Sequence, residues 1–162
     1  MLSYGILRTE TELWVSEGMM RINISAYFRR YAWACEQIDA TLWRTTFSTE
    51  FEAEFDLYVM LSEEWVHFAV SPFVPPPQAD CQDRLYEALL QLNLQMRLVT
   101  FALDDEGDVN LTAELPTRNF SYPIFELTVD TLVAYTNALA YELARLATEP
   151  DFPSPVIKTP SG

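Results

Sequence analysis

From Phe51 to Leu61 the chain alternates with a period of two. Phe51, Ala53, Phe55, Leu57, Val59 and Leu61 take one side, and Glu50, Glu52, Glu54, Asp56, Tyr58 and Met60 take the other. Successive side chains of a strand point to opposite faces, so this pattern demands a sheet with one covered face and one wet face. A one-residue slip would put every carboxylate in the core, so the register is tightly specified. The rest of the chain must supply partner strands on either side and something apolar to cover one face.

The partners are legible nearby. Thr41 to Ser48 is rich in β-formers, and Trp65 to Val70 returns after the Ser62-Glu63-Glu64 turn with Val66, Phe68 and Val70 on one side. Pro72, Pro75, Pro76 and Pro77 then argue against both helix and central strand. Arg97–Leu103 and Asp108–Leu115 read as two further strands joined by Asp104-Asp105-Glu106-Gly107, with the glycine placed for a positive φ.

The cover is three helices. Tyr27, Tyr31, Ala34 and Ile38 recur at spacings of three and four behind Ser25, which predicts a helix over 25–39. Asp80 opens a second helix running to Gln95, with Cys81, Leu85, Ala88, Leu89, Leu92 and Met96 in one stripe. Tyr86, Leu90 and Leu94 add a second apolar edge, more than one core-facing stripe requires, and imply a second contact face. The last helix is predicted over 124–147, with Leu132, Thr136, Leu139 and Leu143 in line. The order is helix, three strands, helix, two strands, helix. It predicts an α+β fold, an antiparallel sheet with helices packed on it. At 162 residues one such domain is expected, over 25–147. Residues 1–24 read as an arm or hairpin, and 148–162, with four prolines, as an extended flexible tail.

Charge and composition exclude several functions. Residues 1–44 carry five basic and five acidic side chains, so the whole net charge of -14 falls in residues 45–162. Such a surface opposes nucleic acid and anionic membranes as partners. No apolar run is long enough for a transmembrane helix, and Arg8, Glu10 and Glu12 break any signal-peptide core, so a cytoplasmic protein is expected. Cys35 and Cys81 read as reduced, packed thiols. A single histidine, His67, and four glycines leave no multi-histidine metal site and no glycine-rich phosphate cradle. Neither cofactor nor metal is expected.

The stretch Trp65-Val-His-Phe-Ala-Val-Ser-Pro-Phe-Val-Pro, the 80–95 helix and the hairpin Leu98-Val-Thr-Phe-Ala-Leu-Asp-Asp-Glu-Gly-Asp-Val-Asn-Leu resemble the bacterial YbjN-like family over about residues 25–147. That family is similar in fold to type III secretion chaperones. The resemblance implies a small sheet with helices packed on it, a frequent dimer and no catalytic residues. Type III chaperones bind extended segments of secreted proteins, and YbjN-like proteins are tied to regulation and stress.

The candidate residues follow. Arg29 and Arg30 lie in the only basic region and sit among dense aromatics, a pairing favoured at protein interfaces. Together with Trp33 and Trp43 they are the expected contacts for a protein or peptide segment. Tyr86 and Leu90 are the expected contacts of a homodimer. The leading expectation is a non-enzymatic binding module, chaperone-like or regulatory. One alternative is a structural or regulatory subunit docked by residues 1–24. Another is a carboxylate enzyme using Glu54 or Asp56 with His67. The acidic strand face, the Asp104–Asp108 turn and the Pro150–Pro153 spacing each read as ordinary surface, without the residue order of an EF-hand in the turn.

Overall fold

The alternating strand sits third of six in one antiparallel sheet. A computed structural model describes residues 22–154, and all structural statements concern these. The elements are α1 (Ile24–Tyr31), β1 (Glu36–Gln37), β2 (Leu42–Ser48), β3 (Glu54–Leu61), β4 (Trp65–Val74), α2 (Gln82–Gln95), β5 (Thr100–Leu103), β6 (Val109–Pro116) and α3 (Tyr122–Thr148). The strand order is β1-β2-β3-β4-β6-β5, with every neighbour antiparallel. The predicted α+β architecture holds, with one short strand more than expected.

The alternation does what it predicts. Leu57, Val59 and Leu61 of β3 are buried, as are Val66, Phe68 and Val70 of β4 and Leu111 and Ala113 of β6. The helices cover this face. Phe28 of α1 meets Phe125 of α3 edge-on at 5.0 Å, and Phe125 lies 5.8 Å from Phe68 on the sheet. α2 contributes Leu85, Ala88, Leu89 and Leu92 to the same core. The other face stays open. It carries Arg44, Tyr58, Ala69, Thr112 and Thr100 in one cross-strand row, and Leu42, Met60, His67 and Glu114 in another.

Four elements differ from expectation. The helix predicted over 25–39 stops at Tyr31, because Ala32 turns left-handed (φ 66°) and its N–H and that of Trp33 close onto Arg29 and Phe28 carbonyls. Chain that continues the helical spacing instead forms β1. The third strand begins at Glu54, not at Phe51: Glu52 takes a positive φ (59°), and Thr49 and Ala53 bond across a tight turn. Phe51 is left at the tip, stacked on Tyr141 of α3 at 5.5 Å. β4 runs on through Pro72 to Val74. The ladder to β6 shifts register between Val70 and Val74, so the proline falls where no regular ladder bond is required. Finally, Asp80 is not the cap of α2. Cys81 holds the N-cap position, without a side-chain capping bond, and its thiol is buried.

Gly107 has φ 86°, as the β5–β6 turn requires. Residues 1–21, most of the expected arm, lie outside the described residues, as do residues 155–162 of the expected tail. The tail's first residues, Pro150–Ser154, are described and lie against α2 and α3. No helix among the described residues is long and apolar enough to cross a membrane.

Candidate binding surfaces

Two edges and one helix face carry the groups the sequence singles out. At one edge, β1 pairs only with Trp43 and Arg44, through Gln37 and Glu36. No described strand pairs with the outer side of Thr46–Ser48, so the far half of β2 is an open edge. An open edge presents backbone N–H and C=O groups that an extended chain can satisfy. Segment 33–35 runs beside it: the Thr45 hydroxyl donates to the Ala34 carbonyl at 2.7 Å. Trp33 stacks on Phe47 of β2 at 5.7 Å and meets Tyr31 edge-on at 5.0 Å.

From Trp33 a line of rings crosses the covered face of the sheet. Phe47 faces Phe55 at 6.1 Å, Phe55 faces Phe73 at 5.7 Å, and Phe73 meets Phe101 of β5 at 5.1 Å. Aromatic pairs in this range add about 0.5–1.5 kcal/mol each beyond the area they bury. The row ties the two edges of the sheet together.

The expected partner contacts separate. Arg29 and Arg30 are exposed on the last turn of α1. Arg30 lies over the Tyr122 ring at 4.0 Å. Arg29 faces the Cys35 side, where its charge favours the thiolate while desolvation, the larger effect, pushes the thiol's pKa up. Trp33 is half-buried. Trp43 is different: it is only 6% exposed, and its indole N–H donates to Ser25 at 2.8 Å. It joins β2 to α1 and presents no surface. Density of aromatics near arginine could not distinguish this core tryptophan from its exposed neighbours.

Tyr31 ties α1 to α3: its hydroxyl donates to Asp130. Desolvation first, then that bond and the nearby carboxylate, raise its pKa well above the ordinary tyrosine value.

On α2, Tyr86 is half-buried against the core, whereas Leu90 and Leu94 are 71% and 83% exposed. Leu98 and Leu103 are exposed as well, Leu103 on adjoining β5. Asn93 sits between them with its amide spent: it accepts from the Phe101 N–H at 2.7 Å and donates to the Phe101 carbonyl at 3.1 Å. A side chain thus takes the place of a neighbouring strand at Phe101.

The residues of the enzymatic alternative lie on the open sheet face and are spread along it. Asp56 accepts from Thr46 at 2.6 Å, and His67 pairs with Glu114 at 3.1 Å. His67 registers with Met60, four residues along β3 from Asp56, a separation of about 13 Å at strand rise. Asp56 and His67 form no dyad. No group of three or more histidine, cysteine, aspartate or glutamate side chains among the described residues is arranged to hold a metal ion.

With this geometry in hand, the architecture is that of type III secretion chaperones. A chain of the heterodimeric ExoU–SpcU complex from the type III secretion system of Pseudomonas aeruginosa superposes with a TM-score of 0.54 at 19% identity, over 79% of this chain and 99% of that one. A chain of the HopA1–SchA chaperone–effector complex gives 0.55 at 14% identity, over 78% and 96%. A chain of the ExsC–ExsE complex gives 0.54 at 14%, over 80% and 95%. Residues 52–121 match the model of the YbjN family, described as "Putative bacterial sensory transduction regulator". Comparison with curated proteins returned no match. The family match spans β3 to the start of α3, the part of the chain that supplied both sequence signatures.

Proposed function

We propose that this protein is a non-enzymatic binding module that holds an extended segment of a partner protein along the open half of β2. The observation that carries this reading is the unpaired Thr46–Ser48 edge, flanked by the Trp33–Phe47 stack and by α1 with Arg29 and Arg30. Main-chain bonds to the edge supply affinity, and neighbouring side chains supply selectivity. Trp33 offers a ring face, and the arginines favour acidic groups on the segment. Complexes with partner proteins among the solved structures of the same fold support this reading. The role is chaperone-like or regulatory, and the compartment is the cytoplasm.

The second element is a homodimer through the outer face of α2, with Leu90 at its centre and Tyr86 beside it. The exposed leucines of α2 and β5 form an apolar strip suited to a second copy. Light scattering at micromolar concentration is expected to give twice the chain mass for the wild type and the single mass for Leu90→Glu. A wild-type monomer would end the dimer claim.

For the edge, Thr46→Pro is the direct test. It removes an outward N–H where a proline is otherwise tolerated. A partner recovered with the tagged wild type is expected to be lost with Thr46→Pro and with Arg29→Glu, while far-ultraviolet circular dichroism and the melting temperature stay near wild type. Retention of the partner by a folded Thr46→Pro protein overturns the assignment of the edge.

A further inference from the structure

Past the end of α3 the chain makes a turn, in which the Phe152 N–H donates to the Glu149 carbonyl at 3.2 Å, and lies as a strap against α2 and α3. Arg84, half-buried on the first turn of α2, donates through Nη1 to the Pro150 carbonyl at 2.7 Å and through Nη2 to the Phe152 carbonyl at 2.5 Å. One guanidinium thus reads two carbonyls two residues apart, one inside the Glu149–Phe152 turn and one at its end. The Phe152 ring lies over the Arg145 guanidinium at 4.2 Å. Arg145 is held for this by Glu149, which it meets with two bonds at 3.0 and 2.7 Å. The Ser154 hydroxyl donates to Glu142 at 2.5 Å. These side-chain contacts come from α2 and α3 and from the cap that follows α3. Each answers a feature of a turned Pro-x-Phe-Pro-Ser segment: backbone carbonyls, an aromatic ring, a hydroxyl.

We propose that the surface between the first turn of α2 and the last turns of α3 is a peptide-docking groove, occupied here by the chain's own Pro150–Ser154. The occupant it fits from outside is a proline-led turn with an aromatic residue between prolines. Proline at the first central position presets φ for the turn and lowers the ordering cost of such a segment. Arg84 supplies sequence-independent grip, and Arg145 selects the ring through its π face. The strap is continuous with α3, so its local concentration at the groove is in the millimolar range or above, and a free peptide must compete with it. The groove is therefore self-blocked and opens when the strap is weakened or drawn away. It is built from side chains other than those of the β2 edge and the exposed leucines of α2, and does not depend on the function proposed for either.

The test uses full-length protein and a synthetic peptide of residues 150–154 with blocked termini. Binding is followed by the side-chain N–H resonances of Arg84 and Arg145. Phe152→Ala weakens the strap at its end without touching the groove. The peptide is expected to bind Phe152→Ala at least tenfold more tightly than wild type, shifting both arginine signals. Adding Arg84→Ala is expected to abolish that binding, and Arg84→Lys to restore only part of it, because an ammonium cannot hold two carbonyls in one plane. Absence of saturable peptide binding to Phe152→Ala, or binding that survives Arg84→Ala, overturns the proposal. Partner capture by the β2 edge is unaffected by either result, so the two readings fail separately.

Discussion

The two edges of the sheet are finished in opposite ways. At β5 the outward backbone of Phe101 is closed by both ends of the Asn93 amide. At β2 only two residues of β1 form a ladder, and no described strand pairs with the outer side of Thr46–Ser48. A bare edge invites other strands, and folded proteins usually blunt it. Here one edge is blunted by a single side chain from the helix above it, and the other is left available beside a tryptophan and two arginines. The same fold thus closes one edge with a side chain and leaves half of β2 without a strand partner on the other.

The edges are mechanically linked by the ring row from Trp33 to Phe101, so the strongest way to break the comparison is to cut the row. Phe73 is buried, 5.7 Å from Phe55 and 5.1 Å from Phe101. Phe73→Ala is expected to cost about 3–5 kcal/mol in urea unfolding, the range for truncating a buried phenylalanine. Its ring neighbours on both sides then lose their packing partner. A loss below about 1 kcal/mol would show that the site collapses freely and that the row links nothing.

Next in size is the clip itself. Asn93→Ala removes both bonds to Phe101 and leaves a partly buried N–H and C=O unanswered, at an expected cost of about 1–3 kcal/mol. The freed edge should also attract other chains, visible as concentration-dependent light scattering absent from the wild type. Stability loss without association would mean that the amide serves folding only. Thr46→Pro sharpens the contrast from the other side: at an edge already open, its stability change is expected within about 1 kcal/mol.

How much of this was legible in the residues differs between the edges. The sheet, its wet and dry faces and the three covering helices follow from periodicity alone, because burial on one side leaves a regular trace. The hydrophobic surplus at Leu90 and Leu94 was legible for the same reason. The end of α1 was not: Ala34 and Ile38 continue the helical spacing, and nothing in Ala32 itself announces a left-handed residue. Missing that turn also hides β1 and the open edge beside it. Trp43 was misplaced because a core tryptophan and a surface one carry the same letter, and only Ser25 at its N–H separates them. The Asn93 clip is a contact across eight residues and a change of element, which no local pattern encodes. The strap is hidden for a related reason: Arg84 and Phe152 are far apart in the chain, and a proline-rich end reads as solvent-exposed.

The smallest expected effect is a difference in how the turns at the two edges hold their aspartates. Asp39 follows β1 and accepts from the Thr41 N–H at 2.7 Å and the Thr41 hydroxyl at 3.1 Å. Asp104 follows β5 and accepts from Asn110 Nδ2, and from the N–H groups of Glu106 and Asp108, all at 3.0 Å. Both pKa values are lowered. The largest cause is the Thr41 backbone bond for Asp39 and the Asn110 side-chain bond for Asp104. A carboxylate lowered in the folded state adds stability above its ordinary value, and that stability is lost as the pH falls through the folded value. Both turns should therefore hold at neutral pH and loosen only in strong acid, below the ordinary carboxylate range. Carboxyl-carbon resonances followed through an acid titration check this. Asn110→Ala is expected to move the Asp104 midpoint up toward the ordinary value and leave Asp39 unmoved. It also removes a buried acceptor, Asn110 Oδ1, that has no partner, so little stability is lost elsewhere. Thr41→Val is expected to shift Asp39 by less, because the backbone N–H that lowers it most survives the substitution. Equal shifts in the two variants would show that the turns are held alike, and that the contrast between the edges stops at their strands.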